Sequence, residues 1–307
     1  MLLVTGATGF LGSALVHLMV RRGLPVRAVV RDAERARTVL PDGVATARAD
    51  LADGEALARA ARGCSGVLHL AGSVGHSAEE TRRINVEGTR AVLAAAVAAG
   101  VERFVHTSSS AAVLDADGVV AEEPAGPPAL TDAYSTSKAQ AERLVLDAAA
   151  RGLAAVIVNP VNLYGPSPRG PLSYNGLFTA AARGEVAEVV DSAVGWVLAE
   201  DAAQGHLLAL ERGEPGRRYV LCGEVAPFGR VLHTFADLVG GRRVRTVPPG
   251  SRLGPDAGTF ARRSEVYGTF PPVRVDDAGA RGLGFAPRGV DEGLALTASW
   301  IRGLPGS

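Results

Sequence analysis

The chain has 307 residues, 47% hydrophobic and 21% charged, enough for one large domain or two unequal ones with a buried core. Its 32 basic residues balance 32 acidic ones, so no net field draws it to nucleic acid or to an anionic membrane. Two distant cysteines, Cys64 and Cys222, and six scattered histidines give no disulfide framework and no metal-ligand spacing. The first residues enter a strand without a basic leader, and the longest apolar stretch, Ala91 to Ala99, is too short to span a bilayer. A cytoplasmic protein is expected.

In chain order, Leu2-Leu3-Val4 predicts a strand and Leu11 to Arg22 a helix that Gly23 ends. Val26 to Val30 is a second strand, Ala33 to Leu40 a short helix, Ala45 to Ala49 a weak third strand and Gly54 to Arg62 a helix. Gly66 to Leu70 is the fourth strand and Asn85 to Ala99 the next helix. Phe104-Val105-His106, a helix from Tyr134 to Arg151 and a strand from Ala154 to Val158 complete the series. This alternation predicts an α/β fold, a Rossmann-type doubly wound parallel sheet with right-handed crossovers. After Pro160 the rhythm stops, and Pro166-Ser167-Pro168-Arg169-Gly170-Pro171 reads as a loop leaving the sheet. Strand-like Gly195 to Leu198 and Tyr219 to Leu221 follow, with helices near Asp201 to Arg212, Phe228 to Val239 and Val290 to Arg302. Gly240 to Pro272 is a Gly/Pro/Arg-rich tract. The expected organisation is a dinucleotide-binding domain over 1–165, to which the chain returns at about 191–222, and a smaller, less regular C-terminal substrate lobe made of 166–190 and 223–307.

The first strand and helix are joined by Thr5-Gly6-Ala7-Thr8-Gly9-Phe10-Leu11-Gly12. Such a turn needs glycine where the chain bends, where backbone approaches a pyrophosphate and where helix packs on strand. The helix then offers free amides and a positive dipole end to the phosphates. After the second strand come Arg31 and Asp32. An acid there binds a ribose 2′-hydroxyl and an arginine a 2′-phosphate, while Asp32 also suits a helix cap. Because Arg31 directly follows the last apolar residue, NADP (as NADPH) is the expected cofactor, with NAD the alternative.

Lys138 is the one lysine of the chain; every other basic residue is arginine. Four residues earlier on the same helical face stands Tyr134. An ammonium beside a phenol favours the phenolate and lowers its pKa from about 10, which makes tyrosine a usable general acid or base.

Taken together, Thr5-Gly6-x-x-Gly9-x-x-Gly12, Asp50-Leu51, His69-Leu70-Ala71-Gly72, Asn85-Val86-Glu87-Gly88-Thr89, Thr107-Ser108-Ser109, Tyr134-x-x-x-Lys138 and Asn159 to Pro166 resemble the extended short-chain dehydrogenase/reductase family, also called the NAD-dependent epimerase/dehydratase family. Val26 to Asp32 and Asn159-Pro160 look most like its dihydroflavonol-reductase-like branch. The resemblance implies Ser109, Tyr134 and Lys138 as the catalytic set, the last two also holding cofactor. It implies Asp50 and Leu51 beside the adenine, Ala71, Gly72 and Asn85 along the cofactor, and Pro160 and Val161 at the nicotinamide. In relatives that use NAD the acid falls at the position of Val30, which the resemblance reads as support for NADP. The Thr-Asp-Glu of sugar dehydratases is absent, and Phe270-Pro271-Pro272-Val273-Arg274 stands where many nucleotide-sugar enzymes carry Arg-Pro-Gly-Asp.

Further substrate-pocket candidates are Ser110, His76, Tyr164 and Tyr174, with Asn175 and Phe178 near the start of the second lobe. Ser108 reads as a strand-end residue bonded to backbone, Glu122-Glu123 as an exposed pair and His69 as a satisfied core histidine. The expected activity is an NADPH-dependent carbonyl reductase, or the reverse alcohol dehydrogenase, on a small or medium-sized ketone or aldehyde. The alternatives are an NAD-dependent nucleotide-sugar epimerase with the same Ser-Tyr-Lys set and a non-catalytic dinucleotide-sensing protein. The resemblance also implies a homodimer through the helices beginning near Asn85 and Tyr134, where Ala91, Ala94, Ala95, Ala98, Ala139, Ala141 and Ala148 keep side chains small.

Overall fold

The computed structural model describes residues 1–74 and 77–304. Along them run β1 (Leu2–Thr5), α1 (Phe10–Arg21), β2 (Val26–Val30), α2 (Ala33–Val39), β3 (Ala45–Arg48), α3 (Gly54–Ala61), β4 (Gly66–His69), α4 (Ala78–Arg82), α5 (Gly88–Ala98), β5 (Arg103–Thr107), β6 (Val119–Ala121) and α6 (Ala133–Ala150). There follow β7 (Ala155–Pro160), β8 (Asn162–Tyr164), α7 (Tyr174–Ala182), β9 (Glu188–Val190), β10 (Ala193–Leu198), α8 (Ala199–Arg212), β11 (Arg218–Leu221), β12 (Glu224–Pro227), α9 (Phe228–Val239), β13 (Arg245–Val247), α10 (Thr259–Tyr267), β14 (Arg274–Asp276), α11 (Ala278–Gly282) and α12 (Val290–Arg302).

Seven strands form one parallel sheet in the order β11-β7-β5-β4-β1-β2-β3. β4 and β7 are buried along their whole length, as expected of strands covered on both faces. One face packs against α1 and α8, the other against α3, α5 and α6. The order reverses between β1 and β4, so a crevice opens there beyond the strands' carboxyl ends, where open α/β sheets bind ligands. This is the Rossmann-type core with a smaller C-terminal region that the alternation of elements predicts.

Three features depart from expectation. β10 does not join the large sheet; it lies between β12 and β8 in a separate three-stranded sheet, and β11 alone returns the chain to the main one. The reason is Trp196 on β10, fully buried among Tyr164, Tyr174, Phe178 and Phe228, with its indole N–H donating to the Ala226 carbonyl at 3.0 Å. The Gly/Pro/Arg-rich tract contains a helix, α10, which buries Ala261, Ser264 and Tyr267 at three-residue spacing. Glu122 is not exposed: it is buried and accepts from the backbone N–H groups of Val220, Gly279 and Ala280 at 3.0, 2.7 and 2.8 Å. It thereby joins the loop after β6 to both β11 and α11, next to the parallel pair β6–β14.

Candidate active site

The glycine loop closes on itself at the mouth of the crevice. Gly6 has φ +69°, and a β-carbon there would strike the backbone of Leu70 and Ala71 at the end of β4. A β-carbon on Gly12 would collide with the Gly6 carbonyl, so α1 can lie this close to β1 only with glycine at that position. Gly9 donates to the Gly6 carbonyl at 2.9 Å and precedes α1 without a side-chain cap or an acidic residue in the first turn. The amides of Phe10, Leu11 and Gly12 therefore point outward beside Thr8, a ready anion site.

A chain of buried polar groups fixes the opposite wall. Thr89 donates its hydroxyl proton to the Asn85 carbonyl at 2.6 Å, so it accepts from His69 Nε2 at 3.0 Å. His69 Nδ1 then accepts from the Thr5 hydroxyl at 2.6 Å, and Thr5 Oγ1 accepts from the Ala71 amide at 3.3 Å. Burial, with the Lys138 charge nearby, holds the His69 pKa down to about 3, so the ring stays neutral and serves the network. Asn85 sits in a π-turn (Arg83–Glu87) between α4 and α5, and its amide bonds both backbone groups of Ser73 at 2.7 and 3.0 Å. Its Nδ2 also donates to Ser137 Oγ on α6 at 2.9 Å. The segment Ala71 to Ser73 is thus pinned from two sides.

α6 starts at Asp132, whose Oδ1 accepts from the Tyr134 and Ser135 amides, both at 3.1 Å, and whose Oδ2 accepts from the Ser135 hydroxyl at 2.6 Å. One turn in, Lys138 is 4% exposed and its ammonium donates to the Thr107 carbonyl at 2.8 Å. A β-carbon on Gly72 would come within 3.1 Å of that ammonium and 3.3 Å of Asn85 Oδ1, so glycine leaves an open cradle there. Burial lowers the Lys138 pKa to about 8, partly opposed by Glu142. Glu142 itself accepts from Asn159 Nδ2 at 2.6 Å and from Arg218 Nε at 2.7 Å, and the same Asn159 amide holds the Ser109 carbonyl at 3.0 Å.

Tyr134 is half-buried, with Ser109 within hydrogen-bonding reach of its phenol. Burial holds the phenol above its ordinary pKa, and the groups drawing it back are Ser109 and Arg263. The cation expected to do this, Lys138, spends its ammonium on Thr107 instead. Arg263 on α10 lies over the Tyr134 ring, its Cζ 5.8 Å from the ring centre. Arg263 was not legible from the sequence, since no motif marks its Gly/Pro/Arg-rich tract.

The remaining candidates divide. Ala71, Gly72 and Asn85 line the crevice as just described, and Leu51 packs on Gly88 at the start of α5 beside exposed Asp50, whose Oδ1 accepts from Ala52 N at 2.9 Å. Pro160 ends β7, and buried Val161 packs against Gly195. Ser110 is buried in a short 3₁₀ turn beside Ser109. Tyr174 is buried on Trp196 and Phe260, with its phenol near Arg263. Tyr164 is 1% exposed in the aromatic core, its hydroxyl against Gly293. Ser108 buries a hydroxyl with no partner among the described residues, rather than bonding backbone through it. His76 lies outside the described residues. No helix among the described residues is long and apolar enough to cross a membrane.

The sequence pattern of the NAD dependent epimerase/dehydratase family matches residues 2–222. Sterol demethylase protein B of Methylococcus capsulatus is 33% identical to this chain over 326 residues, covering 98% of each. Among solved structures, MoeE5 in complex with UDP-glucose and NAD has a TM-score of 0.79 at 31% identity, again over 98% of each chain. The UDP-glucose 4-epimerase of Thermus thermophilus in complex with NAD has a TM-score of 0.76 at 26% identity, over 98% of this chain and 99% of that one. These relatives differ in activity, so the likeness reaches the family and no one branch within it.

Two linked expectations are corrected by these likenesses. The expected cofactor was NADP, whereas MoeE5 and the Thermus thermophilus epimerase, both similar to this chain, are solved with NAD. The residue behind that expectation, Arg31, lies exposed just past β2, while Asp32 caps α2 by accepting from Arg35 N at 3.1 Å. The expected activity, an NADPH-dependent carbonyl reductase, falls with it, because the same structures are of enzymes described with nucleotide sugars and NAD.

Proposed function

The chain belongs to the NAD-dependent epimerase/dehydratase family, and from that premise we propose that it is an NAD-dependent epimerase of a nucleotide-linked sugar. The observation that carries the reading is the likeness, over 98% of both chains, to a protein solved with UDP-glucose and NAD. The crevice fits such a cofactor: uncapped amides at the start of α1 for the diphosphate, and a glycine cradle at Gly72 beside Lys138 and Asn85 for a ribose. NAD, when bound, would accept a hydride from a sugar carbon and return it. Tyr134 would take the proton of the hydroxyl on that carbon and give one back after the sugar has turned over. Ser109 would hydrogen-bond the same oxygen, held in place by Asn159 through its carbonyl. Lys138, fixed on Thr107, would bind the ribose hydroxyls.

Thr5, Gly6, Thr8, Gly9, Phe10, Leu11 and Gly12 form the proposed phosphate loop, Asp50 and Leu51 the adenine side, and Pro160 and Val161 the nicotinamide side. The affinity of Val26 to Asp32 with the dihydroflavonol-reductase-like branch is a proposal about descent within the family. A homodimer through α5 and α6 is supported by a surface depression where Leu93, Ala94, Val97, Ala98 and Leu144 of these helices meet Leu153, edged by Arg90 and Arg151.

The test is the purified protein itself. It should carry NAD, released on denaturation, and should invert C4 of a UDP-hexose or UDP-hexuronate, followed by proton NMR without added cofactor. Tyr134→Phe should keep the NAD and lose the inversion. Protein free of NAD that consumes NADPH on simple ketones would overturn this reading.

A further inference from the structure

We infer that Arg263 receives a carboxylate on the carbon next to the one that reacts, so that the preferred substrate is a nucleotide-linked hexuronic acid and not a neutral hexose. The inference rests on the epimerase reading above and narrows its substrate class.

Arg263 reaches the site from α10, and its guanidinium stands 5.8 Å from the centre of the Tyr134 ring. Tyr267 and Tyr174, both buried, supply the surrounding wall, their phenols close to the same guanidinium. Tyrosine hydroxyls orient an arginine but do not neutralise it. Among the described residues no carboxylate forms an ion pair with Arg263: its neighbour Arg262 takes Glu265, and Asp132 spends both oxygens on the start of α6. The guanidinium thus faces a reactive phenol half-buried, with the Asp132 carboxylate near it but in no direct ion pair, so its fork keeps donors for a ligand carboxylate.

The position decides which charge. In a hexose reacting at C4, the hydroxyl that meets Tyr134 and the C6 substituent sit on adjacent ring carbons. The diphosphate, on C1, lies across the ring. A cation poised over Tyr134 is therefore placed for a C6 carboxylate, and a bidentate fork suits it better than a hydroxymethyl group.

Inversion kinetics of UDP-glucuronate and UDP-glucose, on wild type, Arg263→Met and Arg263→Lys with matched thermal melts, test the assignment. Wild type should prefer UDP-glucuronate by at least about tenfold in kcat/KM, the scale of one charge-assisted contact. Arg263→Met should abolish that preference by raising KM for UDP-glucuronate about tenfold more than KM for UDP-glucose, and Arg263→Lys should restore part of it. Equal or better turnover of UDP-glucose by wild type would overturn the inference and leave the epimerase reading standing. So would an equal fall in kcat on both sugars with a displaced pH profile, which would assign Arg263 to Tyr134 alone. Inversion of neither sugar, with no NAD retained, would overturn both.

Discussion

Lys138 on α6 donates to the carbonyl of Thr107 at the end of β5 across 2.8 Å, in a setting that leaves the lysine only 4% exposed. The bond aims the ammonium at the cradle left by Gly72, and leaves the phenol one turn earlier to burial, Ser109 and Arg263. The same side chain is thus a positioned cation and a stored electrostatic cost.

Lys138→Arg should lower kcat by about a hundredfold or more while keeping the formal charge, which is the scale of losing assisted proton transfer. The guanidinium is wider than an ammonium and would fill the cradle at Gly72 that the ammonium leaves open. Steady-state inversion rates check this; activity within a few-fold of wild type would mean that any cation serves.

Lys138→Met should change how stability depends on pH. The lysine pKa falls from 10.5 unfolded to about 8 folded. Between those values the unfolded chain binds the extra proton, so wild-type stability rises with pH through this window, and the cost is fully present below pH 8. The methionine variant has no such term. Its stability advantage over wild type should therefore shrink by on the order of 3 kcal/mol between pH 7.5 and 10.5 in paired urea titrations. A constant difference across that range would show that the ammonium is not held against its burial.

Arg31→Ala should leave NAD affinity within about threefold of wild type, because a solvent-exposed arginine contributes little without a phosphate to bind. Fluorescence titration of stripped protein measures it. A tenfold or larger loss would make Arg31 a cofactor residue after all.

Val97→Glu should disrupt a dimer formed through α5 and α6 while leaving the monomer folded. Val97 is 60% exposed on the apolar surface of those helices. Ala95 and Ala148, which sequence alone offers as interface residues, are buried against the sheet with Phe104 and Ile157. A glutamate at either would place an unpaired charge in the core and unfold the protein rather than dissociate it. Light scattering and circular dichroism on Val97→Glu and Ala148→Glu separate the two effects.

What was legible in the chain was what sterics or spacing writes as residue identity. Gly6 and Gly12 are glycine because a β-carbon has nowhere to go, and Tyr134 and Lys138 share a face because helices repeat. The seven-stranded core followed from alternation. What was not legible depends on distance in space between segments far apart in sequence. Arg263 stands over Tyr134 from 129 residues away, and Glu122 is buried only because Val220, Gly279 and Ala280 converge on it. The charge of Arg31 could be read, but not that Asp32 would be taken by the α2 cap. Tyr164 looked available in a loop-rich stretch and is claimed by the ring of Trp196.

The Glu122 junction reaches across the boundary of the family pattern. The family pattern ends at residue 222, yet two of the three amides that hold the Glu122 carboxylate, and the strand that pairs with β6, come from residues beyond it. A shortened chain keeping every glycine of the loop and the Ser109, Tyr134 and Lys138 set would keep that buried carboxylate with a single backbone donor, Val220. The segment that the family pattern marks is thus smaller than the one this junction ties together. Any exchange of second lobes between relatives has to carry its own pair of amides for this acid, or replace the acid as well.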